Sequence, residues 1–187
     1  MKSSGRQYVF NGGTTSATTV SSGGSELVSN GGTASGTTVL SGGLEYFYSG
    51  GTAANTTLSG GTLVIASGGA AAGTVTFCGS GTLELDRSTS WGTPNISGLV
   101  DTSQKIDLAD VNLATATLGY SGNTLSGTLT VGDGTHTATL ALLGQHFQTD
   151  FALTNDGNGG TIVTDPPPLD GLAGLAGQPF LTHSSAG

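Results

Sequence analysis

The sequence predicts an all-β protein: a short parallel β-solenoid with coils of about 19 residues and two strands per coil, capped by a second β-rich module. Three observations predict it. Double glycines recur at 12–13, 31–32, 50–51 and 68–69, with a second set between them at 23–24, 42–43 and 60–61. The apolar residues between the glycines keep phase from copy to copy. Glycine supplies 34 of the 187 residues, serine plus threonine 51, and charged residues only 9%, a composition that cannot cover long surface helices.

Each element follows from the repeat. Tyr8, Leu27, Tyr46, Val64 and Leu83 stand at one equivalent position; Val9, Val28, Phe47 and Ile65 stand at the next, a column that Glu84 breaks. These β-favouring runs are the first strand of each unit. The turns are marked by Gly12-Gly13, Gly31-Gly32, Gly50-Gly51 and Gly68-Gly69, where glycine permits positive φ. The second strand carries Thr18-Thr19-Val20, Thr37-Thr38-Val39 and Thr56-Thr57-Leu58, while Thr74-Val75-Thr76 has slipped by one residue. No unit can bury its own apolar face, so equivalent residues must stack about 4.8 Å apart. Four to five units make a rod roughly 20–25 Å long, with Tyr, Leu and Val columns inside and Thr or Ser outside.

The composition changes near residue 82. Residues 1–81 balance Lys2 and Arg6 against Glu26 and Glu45, whereas residues 82–187 carry ten acids against Arg87 and Lys105. Three segments result: the Gly-Gly repeat solenoid over 1–81, a capping module over 82–165, and a Pro/Gly/Ala/Leu tail over 166–187. In the second segment, alternating runs such as Lys105–Leu108, Thr128–Val131 and Ala138–Leu142 are separated by turn signals, Asp133-Gly134 among them. A solenoid end exposes strand edges, which such a module covers.

The pattern T-x-V-x-x-G-G-x-x-x-V-x-x-G-G-x-A is carried by Thr18, Val20, Gly23-Gly24, Val28, Gly31-Gly32 and Ala34. It recurs as Thr37, Val39, Gly42-Gly43, Phe47, Gly50-Gly51 and Ala53. It resembles the AIDA-type repeat of bacterial autotransporter adhesins over about residues 8–81. That resemblance implies a right-handed parallel β-helix at the bacterial cell surface, in a family where some repeats carry heptose on Ser and Thr. The run Lys105-Ile106-Asp107-Leu108-Ala109-Asp110-Val111, and the later Asp156-Gly157-Asn158-Gly159-Gly160-Thr161-Ile162, resemble the C-terminal regions of RTX-like proteins. Such proteins leave the cell by type I secretion, which implies an export signal in the tail and fits an opening, MKSSGRQYVF, without the apolar stretch of a signal peptide.

Composition narrows the function. A net charge of −8 argues against nucleic acid as partner. No apolar run reaches 18 residues, so no transmembrane segment is expected. The expected function is structural or adhesive, on a bacterial cell surface or in a biofilm matrix. Host or matrix surfaces and their glycans are the expected partners, and solenoid ends offer self-association. Thr18, Thr37 and Thr56, with Tyr46 and Tyr48, are the expected binding surface; at least one of Tyr46, Phe47 and Tyr48 must point outward.

No enzyme activity and no cofactor are expected. The rival reading is an accessory module of a polysaccharide-active enzyme, for which Glu26 and Glu45, nineteen apart, form a stacked surface pair. Asp156 and Asn158 offer oxygen ligands for calcium in a Gly-rich turn. Asp107 and Asp110 read as cap or turn acids rather than a catalytic pair, and His136 and His146 as surface residues rather than zinc ligands. The adjacent Thr pairs do not suit ice binding, because both members cannot face solvent. Asn55 and Asn95 open sequons of the eukaryotic kind, Cys78 is expected in the apolar core, and Leu169, Leu172 and Leu175 recur every three residues in the tail.

Overall fold

The computed structural model describes residues 4–87, 91–92 and 94–166. The chain is a parallel β-solenoid of about five turns, each of about 19 residues. The first coil contains β1 (Arg6–Val9), β2 (Thr14–Ser16) and β3 (Thr19–Val20). The second repeats it as β4 (Ser25–Val28), β5 (Thr33–Ser35) and β6 (Thr38–Leu40). The third has β7 (Leu44–Phe47) and β8 (Thr52–Ser59), the fourth β9 (Thr62–Ile65) and β10 (Ala70–Phe77). Strands β11 (Gly81–Leu85), β12 (Asn95–Ser97) and β13 (Gln104–Leu108) continue the stack.

Two sheets result. In the first, β1, β4, β7, β9, β11 and β13 pair in parallel, in that order. The change of composition near residue 82 therefore falls inside the ladder. In the second sheet, β2, β5, β8, β10 and β12 follow one another in parallel. The stack ends in antiparallel strands. β14 (Thr117–Gly122), β15 (Ser126–Gly132) and β16 (Thr137–Leu143) form a meander whose last strand pairs with β12. β17 (Ala152–Asn155) and β18 (Thr161–Thr164) form a hairpin that pairs with β13. The two segments that resemble RTX-like sequences thus meet, with Asp107 opposite Ile162 and Leu108 opposite Thr161. Among the described residues there is one short 3-10 turn, Leu113–Thr115, and no α-helix. Among the described residues no helix is long and apolar enough to cross a membrane.

The second half of each coil is bent by a feature that the sequence reading lacks. Ala17, Gly36, Asn55 and Gly73 occupy one corner and all have left-handed φ, at 53°, 67°, 59° and 75°. The corner interrupts strand alternation. Ser35 and Gly36 both face away from the interior, and Thr37 then turns inward and is fully buried. The four corner residues differ in type, and two of them pay the cost of a β-carbon in this conformation. At Asn55, the side-chain Oδ1 recovers part of that cost by accepting the Thr74 amide at 3.0 Å.

The core is a set of stacked columns. Val9, Val28, Phe47, Ile65 and Leu85 lie in one, each in register with the next. All are buried, and each contributes roughly 1.5–3 kcal/mol relative to an exposed side chain. The expected column of Tyr8, Leu27, Tyr46 and Val64 is on the outer face of the sheet, where Val64 is nonetheless buried. It is continued by Glu84, not Leu83. The extra residue is absorbed by a bulge between Ala72 and Val75, which delays the next coil by one position. Cys78 is exposed rather than buried, because Phe77, in register with Leu58, takes the inward place.

Close coil contact makes some glycines obligatory for reasons other than φ. A β-carbon on Gly43 would stand 2.6 Å from the Val20 carbonyl oxygen and 3.0 Å from that of Leu40. Gly119, on β14, has nothing within 4 Å of the same point. Urea denaturation should therefore show Gly43→Ala losing about 1–3 kcal/mol and Gly119→Ala changing by less than about 0.5 kcal/mol.

Candidate functional site

The most unusual chemistry lies inside the rod. Glu26 and Glu45 stack as expected, in register on β4 and β7, but both are fully buried rather than on the surface. They sit on inward positions of their strands, two residues before Val28 and Phe47. The left-handed corner turns Thr37 and Thr56 to meet them. Glu26 accepts from Thr15 at 2.7 Å, Thr18 at 3.2 Å and Thr37 at 3.0 Å; Glu45 accepts from Thr56 at 2.9 Å. The second oxygen of Glu45 is buried with no partner. Thr37 and Thr56 therefore cannot form an outward binding face, and Thr18 is engaged in the same interior network. In the next coil the partners change together: Leu63 takes the glutamate position and Val75 the threonine position.

Burial pushes the Glu45 carboxyl up to about 8, against the Thr37 and Thr56 hydroxyls and with added repulsion from Glu26. Glu45 is thus a neutral acid at pH 7. Its contribution is complete below the unfolded value of 4.5 and is lost as pH rises through about 8. Stability should decline across that window by at most about 1.4 kcal/mol per pH unit. Thermal melts of Glu45→Gln between pH 5 and 9 should show a flattened slope and a higher Tm than the parent at the alkaline end.

A second buried cluster joins the cap to the end of the described chain. His146 Nδ1 lies 2.6 Å from Asp165 Oδ2, and Nε2 lies 3.3 Å from the Leu143 carbonyl oxygen. Facing a carboxylate and a carbonyl, both nitrogens are placed to donate, an arrangement that favours the imidazolium. Its pKa is raised chiefly by the bond to Asp165, against the effect of burial. Tyr120 and Phe151 pack around it, with Phe151 stacked 5.7 Å away. A cleft of about 400 Å³ opens beside it, lined by Ser121, Asn123, Gln145 and Phe147 among others. Both ring nitrogens are thus engaged within the protein. The stabilising effect of His146 is complete below the ordinary histidine pKa and fades as pH rises through the raised one. Asp165→Asn should therefore cost on the order of 1–3 kcal/mol at pH 6, a deficit that shrinks toward pH 9 in denaturation curves.

The other expected candidates are spread out. Asp133 closes its turn by accepting the amides of Asn112, His136 and Thr135, which hold its carboxyl well below the usual range. His136 sits 3.3 Å from it, whereas His146 is paired with Asp165. Asp156 Oδ1 accepts the amides of Asn158 and Gly160 at 2.7 and 2.8 Å, so that oxygen serves the β17–β18 turn. Among the described residues, no three His, Cys, Asp or Glu side chains are grouped to hold a metal ion. Asp107 faces outward on β13, and Asp110 lies just beyond it. Leu169, Leu172 and Leu175, with the export signal expected around them, lie outside the described residues.

The outer face of the first sheet holds two aromatic pairs. Phe47 points inward while Tyr46 and Tyr48 point outward, their rings 4.5 Å apart. Tyr8 and Phe10 form a second pair two coils away, rings parallel within 1° at 5.9 Å. Tyr8, Phe10 and Tyr48 are 51%, 62% and 46% exposed. Because Tyr8, Leu27 and Tyr46 are in register, the two pairs lie on one straight row, roughly 9–10 Å apart. The signal for this was the odd spacing of aromatics around each inward residue, Tyr8 and Phe10 about Val9, and Tyr46 and Tyr48 about Phe47.

Comparison with known proteins adds no name: no family, no curated protein and no solved structure matches the chain. The solenoid itself is shown; the AIDA-type and RTX-like resemblances have no family match behind them.

Proposed function

We propose that this chain is a structural and adhesive protein of the bacterial exterior, without catalytic activity, and that it grips glycan surfaces through the outer face of its first sheet. The observation that carries this reading is the pair of solvent-facing aromatic couples, Tyr8–Phe10 and Tyr46–Tyr48, held in line by the coil register. Aromatic side chains give large contact area at low entropic cost, and their flat faces suit the apolar faces of sugar rings. A ladder of parallel strands keeps such rings rigid and evenly spaced, which favours a repetitive polymer over a compact ligand. The AIDA-like repeat supports the exterior setting. The rival enzyme reading loses its main feature, since the stacked Glu26 and Glu45 lie where no polymer reaches.

Tyr46→Ala/Tyr48→Ala should lower retention on insoluble β-glycans in affinity electrophoresis by about tenfold, with the melting curve of the parent. Unchanged retention, with loss instead on replacing the outward Thr38 and Thr57, would return the contact to the threonine side.

A further inference from the structure

The outer face that carries the aromatics also carries acids, in the same columns. Past Tyr46 and Val64, the row continues with Glu84 and then Asp107, which are in register with each other. Asp86 follows on the next row, joined to the ladder by its amide bond to Ile65, beyond Tyr48 and Ala66. The rows are close enough that Asp86 and Glu84 both disfavour ionisation of the Tyr46 phenol. Asp156 reaches the same patch from the β17–β18 turn, where it acts on both Glu84 and Asp107. Among the described residues, none of these four acids has an ion-pair partner. Two bases are near: Lys105, on the same face of β13 as Asp107, and Arg87, next to Asp86 in the chain; among the described residues neither makes an ion pair. Burial first, and then neighbouring acids, raise the pKa of Glu84 and Asp107. One oxygen of Asp107 is buried without a partner.

We infer that the glycan bound on this face is an amino-sugar polymer with free amines, its rings stacked on the Tyr8–Phe10 and Tyr46–Tyr48 couples and its ammonium groups set against Glu84, Asp86 and Asp107. The inference rests on the glycan reading above and narrows its ligand class. Rings alone would take any β-linked sugar. The acids add a term that only a cationic polymer satisfies, and an ammonium placed among them relieves the repulsion they exert on one another. A lysine-rich peptide would meet the charge but has no flat, evenly repeated face for the aromatic couples.

The test is calorimetric titration of the full chain at pH 6 with three probes: a deacetylated glucosamine oligomer, its N-acetylated equivalent of the same length, and oligolysine. The deacetylated oligomer should bind about tenfold tighter than the acetylated one at low salt, with the gap closing as salt rises. Glu84→Gln/Asp107→Asn should remove the gap and keep the weaker affinity; Tyr46→Ala/Tyr48→Ala should weaken both sugars. Equal binding of the two sugars would overturn the inference and leave the glycan reading standing. Binding to neither would overturn both. Oligolysine binding as tightly as the deacetylated sugar would overturn the assignment to a sugar.

Discussion

The whole structure depends on in-register stacking of coils. No coil has a core of its own; each inward side chain is covered by its equivalents above and below, as Val9, Val28, Phe47, Ile65 and Leu85 cover one another. The same constraint governs the outside. It sets the aromatic couples in a line and brings Glu84 against Asp107. It also explains why glycine is used so heavily, since at Gly43 the preceding coil's carbonyl leaves no room for a side chain.

Much of the stack was legible because the period was. Gly-Gly spacing located the turns, and the phase of Val9, Val28, Phe47 and Ile65 located the core. The slip at Thr74 was visible and proved to be the bulge that delays β11 by one residue. What was not legible was the corner at Ala17, Gly36, Asn55 and Gly73. Its conformation is common to all four, but its residue type is not, so no motif marks it. Missing the corner meant misreading the threonines. Alternation counted on from the inward Ala34 and Ala53 leaves Thr37 and Thr56 facing solvent, whereas the corner at Gly36 and Asn55 resets the phase, so that both point inward with Val39 and Leu58. Their partners, Glu26 and Glu45, read as a surface pair on their charge alone, although alternation with Val28 and Phe47 places them inward. Two stacked charged residues look like a solvated pair unless the wall of threonines that faces them is known.

The interior glutamates and the exterior aromatics show how one repeat can serve two purposes. Inside, a polar layer limited to the early coils is matched by threonines and gives way to Leu63 and Val75 in one step. Its cost is a neutral acid at Glu45 and a structure that prefers mildly acidic conditions. Buried polar pairs of this kind fix register, because a slip would leave a carboxyl against an apolar wall. Outside, the rows lack such pairing and are open to a partner. The cap closes the distal end through antiparallel strands and the His146–Asp165 bond, and so leaves the long face uncovered.

The most direct test of the account is the register itself, read by disulfide trapping in a Cys78→Ser background. Thr38 and Thr57 are outward and in register on β6 and β8. Their α-carbons should lie about 4.8 Å apart, within disulfide reach, whereas a partner two residues along falls outside it. Thr38→Cys/Thr57→Cys should oxidise to an intramolecular disulfide under mild conditions, and Thr38→Cys/Ser59→Cys should not. Equal oxidation of both pairs, or preference for the second, would contradict the stacked register on which both the buried glutamates and the aromatic rows depend.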